Sequence, residues 1–481
     1  MSHDFGLVCI GSGPAGQRAA VQAAKLGCRV AVVERQACLG GVCVNTGTIP
    51  SKTFREAVLG FGAPRRHAQV DRPAAADLLA RVERVTRRER EIIDDQLRRN
   101  DVTVIRGEAR FTGPHTIAVT NQRGTGSVSA DRFVIAVGTG PAAPPGVGAD
   151  GEVIITSDDV LKMRELPRTL AVVGAGVIGI EYASMFATLG VQVTLIERRE
   201  QPLEFMDREL VDELIHQMRT HRVTFRLGEA VASIDVGDGP RGRAGLTLAS
   251  GKRLTSDMAL FSAGRVAATG ALGLEAAGLV ADDRGRLTVD ETFRTAVPHI
   301  YAAGDVVGYP SLAATSSEQG RLAACHGLGV KAPAMARHFP IGIYAIPELS
   351  MVGAPEFQLT RERVPYEVGM ARYGEIARGQ LIDDDSGLLK MLFDREDRRL
   401  LGVHVIRLRR HRADPHRPGG VRARRRPRLL PGDRLQLSDA RRVLQGRGAR
   451  RPQQARALSR RERLPYFLAQ RASACWSALI A

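Results

Sequence analysis

Leu7-Val8-Cys9-Ile10-Gly11-Ser12-Gly13-Pro14-Ala15-Gly16 decides how this chain folds. Four apolar residues in a row suit a short parallel strand covered on both faces. Glycines spaced G-x-G-x-x-G follow (Gly11, Gly13, Gly16), and residues 17–26 read as a helix. Residues 29–33 form a second strand that runs into Glu34, 23 residues after the first glycine. In this strand–turn–helix–strand setting the glycines permit a tight turn and let a pyrophosphate approach the helix N-terminus. Glu34 can accept hydrogen bonds from a ribose diol. The same unit returns 163 residues later, as Leu170-Ala171-Val172-Val173, then Gly174-Ala175-Gly176-Val177-Ile178-Gly179, a helix over 180–189 and a strand ending at Glu197. Glu197 again lies 23 residues after its first glycine. Two units predict two dinucleotides.

Arg198 and Arg199 follow Glu197 directly. A carboxylate at this strand end favours the free ribose of NAD, whereas neighbouring arginines can neutralise the 2′-phosphate of NADP. Two readings stay open: a site that holds NAD and NADP in turn, or an NAD site with two solvated arginines.

Between the units runs Gly40-Gly41-Val42-Cys43-Val44-Asn45-Thr46-Gly47-Thr48-Ile49-Pro50-Ser51-Lys52. The glycines let backbone come close to a ligand. Spacings of 5 and 4 would place Cys43, Thr48 and Lys52 roughly on one face of a helix. The stretch resembles the redox segment G-G-x-C-x-N-x-G-C-x-P-S-K of the FAD-dependent pyridine nucleotide–disulfide oxidoreductases. Every fixed position matches except the second cysteine, which is Thr48. The same departure marks the soluble, Si-specific transhydrogenase branch of that family, which the chain resembles most.

The resemblance implies that the first unit binds the ADP half of FAD and the second binds NAD or NADP. It implies that Lys52 lies near flavin N5 and pairs with Glu181. Without that context Lys52 would read as a solvated helix residue. Cys43 has no partner thiol at the expected position, and the Gly40-Gly41 loop separates it from Cys38. Cys9 and Cys28 read as small core residues. Residues 133–140 with Pro144-Pro145-Gly146, containing Gly138, resemble the segment that closes the first FAD piece. Ile300-Tyr301-Ala302-Ala303-Gly304-Asp305 resembles the second FAD fingerprint, which brings in Asp305 and, just beyond, Ala313. Read alone, it would be a strand end with an Asx turn. Gly264, at the end of the second unit, joins the cofactor-binding set.

The expected fold is α/β, with two Rossmann-like dinucleotide-binding domains (FAD and NAD(P)) and an incomplete α+β dimerisation domain. The FAD domain spans 1–150 and 271–335, with NAD(P) at 151–270 inserted into it and the first part of the dimerisation domain at 336–406. A long helix is expected over 77–100 and a connecting helix over 157–166.

The chain has 481 residues and a formal charge of +17. Residues 407–481 hold 21 arginines, no lysine and four acids, which accounts for the whole excess. The other 406 residues balance 48 bases against 48 acids, so the charge does not describe the body. The tail stops resembling the family. Codons for residues 434–442, read one base later, can give V-F-N-Y-P-T-L-A-E, close to the N-Y-P-T-x-x-E of transhydrogenases. We therefore read the tail as frameshifted. A basic arm on nucleic acid is the lesser alternative. Without the second half of the interface domain the chain is expected to dimerise poorly or lose FAD; a stable, yellow, stoichiometric dimer in gel filtration would contradict this.

No apolar run reaches membrane-spanning length. The N-terminus lacks a basic-then-apolar signal layout, six cysteines form no disulfide framework, and no metal site is expected. The expectation is a cytoplasmic, homodimeric enzyme that moves hydride between NADPH and NAD+ through FAD. The alternative is an NAD(P)H disulfide reductase of the dihydrolipoyl dehydrogenase kind, which would need two thiols.

Overall fold

A computed structural model describes residues 3–61, 73–143, 148–237, 242–336, 338–381 and 386–407. The arginine-rich tail beyond Arg407 and Pro144-Pro145-Gly146 lie outside the described residues. Leu7–Ile10 is buried along its whole length and pairs in parallel with Val30–Glu34. The complete first sheet runs Ile300–Ala302, Phe133–Ile135, Leu7–Ile10, Val30–Glu34, Thr103–Arg106, all parallel. The second runs Ile154–Thr156, Met258–Phe261, Thr169–Val173, Gln192–Glu197, Val223–Leu227, also all parallel. The two share four strands in one order and differ at the fifth: the edge strand Ile300–Ala302 comes last in the chain in the first sheet, whereas Ile154–Thr156 comes first in the second. In each, the glycine turn leaves the strand next to the point where strand order reverses, which is where open α/β sheets bind ligands.

Helix α1 (Pro14–Lys25) opens with proline in its first turn, where the missing N–H costs nothing. It stops at Leu26-Gly27, with Gly27 at φ +82°. The redox segment is two helices, α2 (Gly41–Asn45) and α3 (Thr48–Phe61). The expected single face for Cys43, Thr48 and Lys52 is therefore corrected. The N–H groups of Thr46 and Gly47 both turn back to the Val42 carbonyl, at 3.1 and 2.7 Å, and end α2 before α3 begins. Helix α4 (Ala75–Arg98) buries Leu78, Val82, Ile93 and Leu97 on one face, as the periodicity predicts. Residues 157–166 are not a helix; a single 3-10 turn, Val160–Lys162, stands there. Asp159 accepts from the N–H and hydroxyl of Thr156 and so favours a turn.

Helix α5 (Val177–Thr188) repeats α1 in the second unit, and α6 (Arg208–Thr220) leads to the last strand of that sheet. Helix α7 (Ala313–Gly327) lies against α1 so closely that a Cβ on Gly320 would meet the Ala15 carbonyl oxygen at 2.0 Å. A third, antiparallel sheet follows in the order Ile341–Ile343, Glu348–Gly353, Leu400–Arg407, Gly387–Asp394, Tyr366–Arg372. Phe54 and Val58 of α3, Ile180 and Phe186 of α5, and Ile343 and Leu349 of this sheet share one buried cluster. That cluster brings Lys52 and Glu181, 129 residues apart, to one place. Among the described residues, no helix is long and apolar enough to cross a membrane.

Candidate active site

Both glycine turns are built to a common plan. A Cβ on Gly16 would lie 1.9 Å from the Gly11 carbonyl oxygen, and one on Gly179 would lie 1.9 Å from that of Gly174. Only glycine lets helix and strand approach this closely. Gly13 and Gly176 face open space instead, with nothing within 4 Å of an added Cβ. They start α1 and α5, and no side chain caps either helix. The first-turn N–H groups therefore point into an open cradle suited to a pyrophosphate. Gly41, at φ +57°, presses on the first turn: a Cβ there would meet the Gly13 Cα at 2.8 Å.

The two acids stand differently. Glu34 Oε2 accepts from the N–H and hydroxyl of Ser12, at 2.9 and 2.6 Å, and Oε1 from the N–H of Gln36 at 2.8 Å. Glu197 Oε2 accepts from the N–H of Ala175 at 2.6 Å, and the Arg199 guanidinium closes on both oxygens at 3.0 Å. Burial pushes the Glu197 carboxyl up, but bonds from Arg199 and Ala175 outweigh it and hold it below the usual range. Arg198, the arginine singled out from sequence, is exposed and points to no described acid; its neighbour holds the carboxylate.

At the junction of the domains, Lys52 Nζ donates to both oxygens of Glu181, at 2.8 and 2.7 Å. The lysine is partly open and the glutamate nearly closed off (27% and 4% exposed). Glu181 Oε1 also accepts the N–H of Tyr344 at 2.9 Å, and the Tyr344 ring lies 4.8 Å from the ammonium. Arg55 Nε donates to the Ala345 carbonyl, and the Ile346 N–H donates to the Ser184 hydroxyl. Three successive residues of the third sheet's first turn are thus tied to α3 and α5. Sequence reading missed this loop, because nothing near Tyr344 in the chain advertises a lysine 292 positions away.

Cys43 stands in α2 and Thr48 opens α3 just past the two-residue break, and Thr48, Asp305 and Lys52 are among the groups that act on the thiol. Burial raises its thiol above the ordinary value, so it stays protonated at neutral pH. Cys43 and Cys38 are both free thiols. Burial likewise raises the Asp305 carboxyl, opposed by Arg265, Ser316 and Thr139. Gly304, beside it at φ +86°, donates its N–H to Gln319 of α7. Ala313 is the first residue of α7. Gly138 at φ +67° and Gly264 at φ +142° flank the antiparallel pair Thr139–Pro141 and Arg265–Ala267 that joins the two sheets.

A group of acids the sequence did not single out is Asp207, Glu209 and Glu356, close enough to hold a cation. Lys390 fills that role: its ammonium reaches Asp207 at 2.9 Å, Glu209 at 2.7 Å and also Glu356, while only 1% exposed. The cluster clasps the second sheet's domain to the third sheet.

Two parallel sheets, each with an open glycine cradle and an acid beside it, define a two-dinucleotide oxidoreductase fold. The comparisons agree. Residues 5–320 match the family model described as pyridine nucleotide-disulphide oxidoreductase, and residues 339–410 match its dimerisation domain. The chain belongs to the pyridine nucleotide-disulphide oxidoreductase family. It is 52% identical to a soluble pyridine nucleotide transhydrogenase of Mycobacterium bovis (84% of this chain, 88% of the relative). It is 41% identical to one of Klebsiella pneumoniae (84% and 89%). Among solved structures it resembles LpdA of Mycobacterium tuberculosis with a TM-score of 0.77 and 29% identity, over 83% of this chain and 90% of that one. The HOCl-induced flavoprotein disulfide reductase RclA of Escherichia coli, as its Cu(II) complex, gives 0.77 and 28%, over 86% and 91%.

Proposed function

We propose that this chain is a Si-specific, FAD-dependent transhydrogenase carrying out NADPH + NAD+ ⇌ NADP+ + NADH. The observation that carries the proposal is Cys43 beside Thr48, with Lys52 and Glu181 paired next to them. A disulfide reductase passes electrons to a second thiol, and here a hydroxyl stands in its place. The transhydrogenases named above, at 41–52% identity, support the same reading.

FAD, when bound, supplies the group that takes hydride from one nicotinamide and returns it to the next. The N-terminus of α1 and Gly11, Gly13, Gly16, Gly41 and Glu34 would hold its ADP half, with Gly138, Asp305 and Ala313 beyond them. Gly174, Gly176, Gly179, Gly264, Glu197 and Arg198 would hold the pyridine nucleotide. The Lys52 ammonium places fixed positive charge at the junction, oriented by Glu181 before any substrate arrives. With one cradle serving both nucleotides, they bind in turn and the kinetics are ping-pong. A second copy of the chain is the expected partner of the third sheet, and the cytoplasm the expected compartment.

The test gives the FAD-loaded chain NADPH with thio-NAD+, and separately NADPH or NADH with lipoamide or glutathione disulfide. Growth of reduced thio-NAD absorbance, with disulfides left at background, is the expected result. Disulfide reduction without transfer between nucleotides would overturn it in favour of a dihydrolipoyl dehydrogenase-like reductase.

A further inference from the structure

A carboxylate offers about four acceptor positions. Glu197 has four N–H donors already: Ala175 at 2.6 Å, and the Arg199 backbone, Nε and Nη2 at 3.0 Å each. Glu34 has three, none of them from an arginine. The first acid therefore keeps a lone pair for a ribose hydroxyl, and the second has none until Arg199 moves.

We propose that Arg199 is the nucleotide selector of the second cradle, a single guanidinium exchanged between Glu197 and an adenosine 2′-phosphate. The inference rests on the transhydrogenase reading above. When the incoming nucleotide carries a 2′-phosphate, Arg199 turns outward onto it, and backbone N–H groups of Ala175 and Arg199 keep two bonds on Glu197. The arginine then stands between the buried carboxylate and a group carrying about −1.5 to −2 charge, which Glu197 would otherwise repel. When the nucleotide carries a free diol, the ribose hydroxyls replace the guanidinium on Glu197. The displaced guanidinium has a second acid in reach, since Nη1 already lies 3.4 Å from exposed Glu204. Arg199 itself is 39% exposed, free enough to swing, whereas Glu197 at 7% is fixed. Carboxylate and arginine act as one exchanging pair, so a single site serves both nucleotides.

The test measures binding of 2′,5′-ADP and of ADP to the FAD-loaded full chain by calorimetry, which needs no hydride transfer. Arg199→Met should weaken 2′,5′-ADP roughly 10- to 100-fold, the scale of a charge-assisted bond, and leave ADP as tight or tighter. Glu197→Gln should do the reverse, tightening 2′,5′-ADP and weakening ADP. Glu204→Gln should weaken only ADP. Equal losses for both ligands in Arg199→Met, or no change in either, would overturn the proposal. If Arg199→Met fails to fold, Arg199→Lys decides: it should keep part of the 2′,5′-ADP affinity, and loss of both ligands together would again count against the selector. A wild-type chain that binds both ligands as expected but fails the thio-NAD+ assay would sink the transhydrogenase reading and leave this one standing.

Discussion

The two glycine cradles share turn, helix, the order of four strands and even the 1.9 Å clash that forbids a side chain at Gly16 and Gly179, yet their acids are held by different donors. Glu34 is locked by a serine hydroxyl and two backbone N–H groups, and Ser12 in turn accepts the Gly40 N–H at 3.0 Å. Acid, turn and the glycines of the redox segment form one rigid knot. In the second cradle alanine replaces the serine, and a partly exposed arginine replaces the hydroxyl. Bonds from neutral donors, fixed in the backbone and one serine, suit a ligand that stays. An ion pair at the cradle's edge suits ligands that alternate, because its partners can be exchanged for another charge at little net change. On the proposed assignment of FAD to the first cradle and pyridine nucleotides to the second, the difference teaches that residence time follows from the donors around one carboxylate, not from the fold.

The largest effect should come from removing the glycine that closes each turn. Gly16→Ala drives a Cβ into the Gly11 carbonyl, backbone that cannot give way, at a cost of roughly 1–3 kcal/mol or more. We expect the purified variant to lose its flavin colour. Gly179→Ala meets both the Gly174 carbonyl and the Ser262 hydroxyl and should keep its flavin while failing to bind ADP. Flavin retained in the first or lost in the second would break the assignment of tenants to cradles.

Next is the pair where the two halves meet. Lys52→Met leaves Glu181, 4% exposed, with the Tyr344 N–H as its remaining bond among the described residues. Breaking a buried pair costs about 3–5 kcal/mol. Because Lys52 is partly open to solvent and Glu181 keeps the Tyr344 N–H, about 2–3 kcal/mol is expected in urea unfolding, together with loss of transhydrogenation. Glu181→Gln keeps a hydrogen-bonding group and should cost less. A Lys52→Met chain as stable and active as the parent would remove this pair from the mechanism.

How much of this was legible in the sequence depends on distance along the chain. Glycine turns, buried strands and the acids that follow them are local patterns of some 30 residues, and both units could be read from Gly11–Glu34 and Gly174–Glu197 alone. Local competition misled: Asp159 trades helix for a turn by bonding Thr156, and the Val42 carbonyl gathers two N–H groups and splits the redox helix. What stayed hidden was long-range. Tyr344 bonds Glu181 across 163 residues and Lys390 bonds Asp207 across 183, and neither has a sequence signature. Arg199 was in view beside Arg198, but periodicity and spacing cannot tell which of two adjacent arginines turns back onto the strand end.

The smallest effect should come from the residue the family resemblance makes most conspicuous. Cys43→Ser exchanges a thiol for a hydroxyl of similar shape beside Thr48, so transhydrogenation should stay within about twofold of the parent. The pH profile sharpens the point. A working thiolate would switch on as pH rises through the thiol's pKa, ordinarily about 8.5. Burial moves the Cys43 thiol upward, so the neutral form persists past that point and no alkaline gain should appear between pH 7 and about 8.5. Activity that rises through this window in the parent and stays flat in Cys43→Ser would mean that the thiolate takes part. Thr48 would then no longer mark a site without a disulfide exit, and the contrast between a resident cofactor and exchanging nucleotides would need a third, thiol-bound participant.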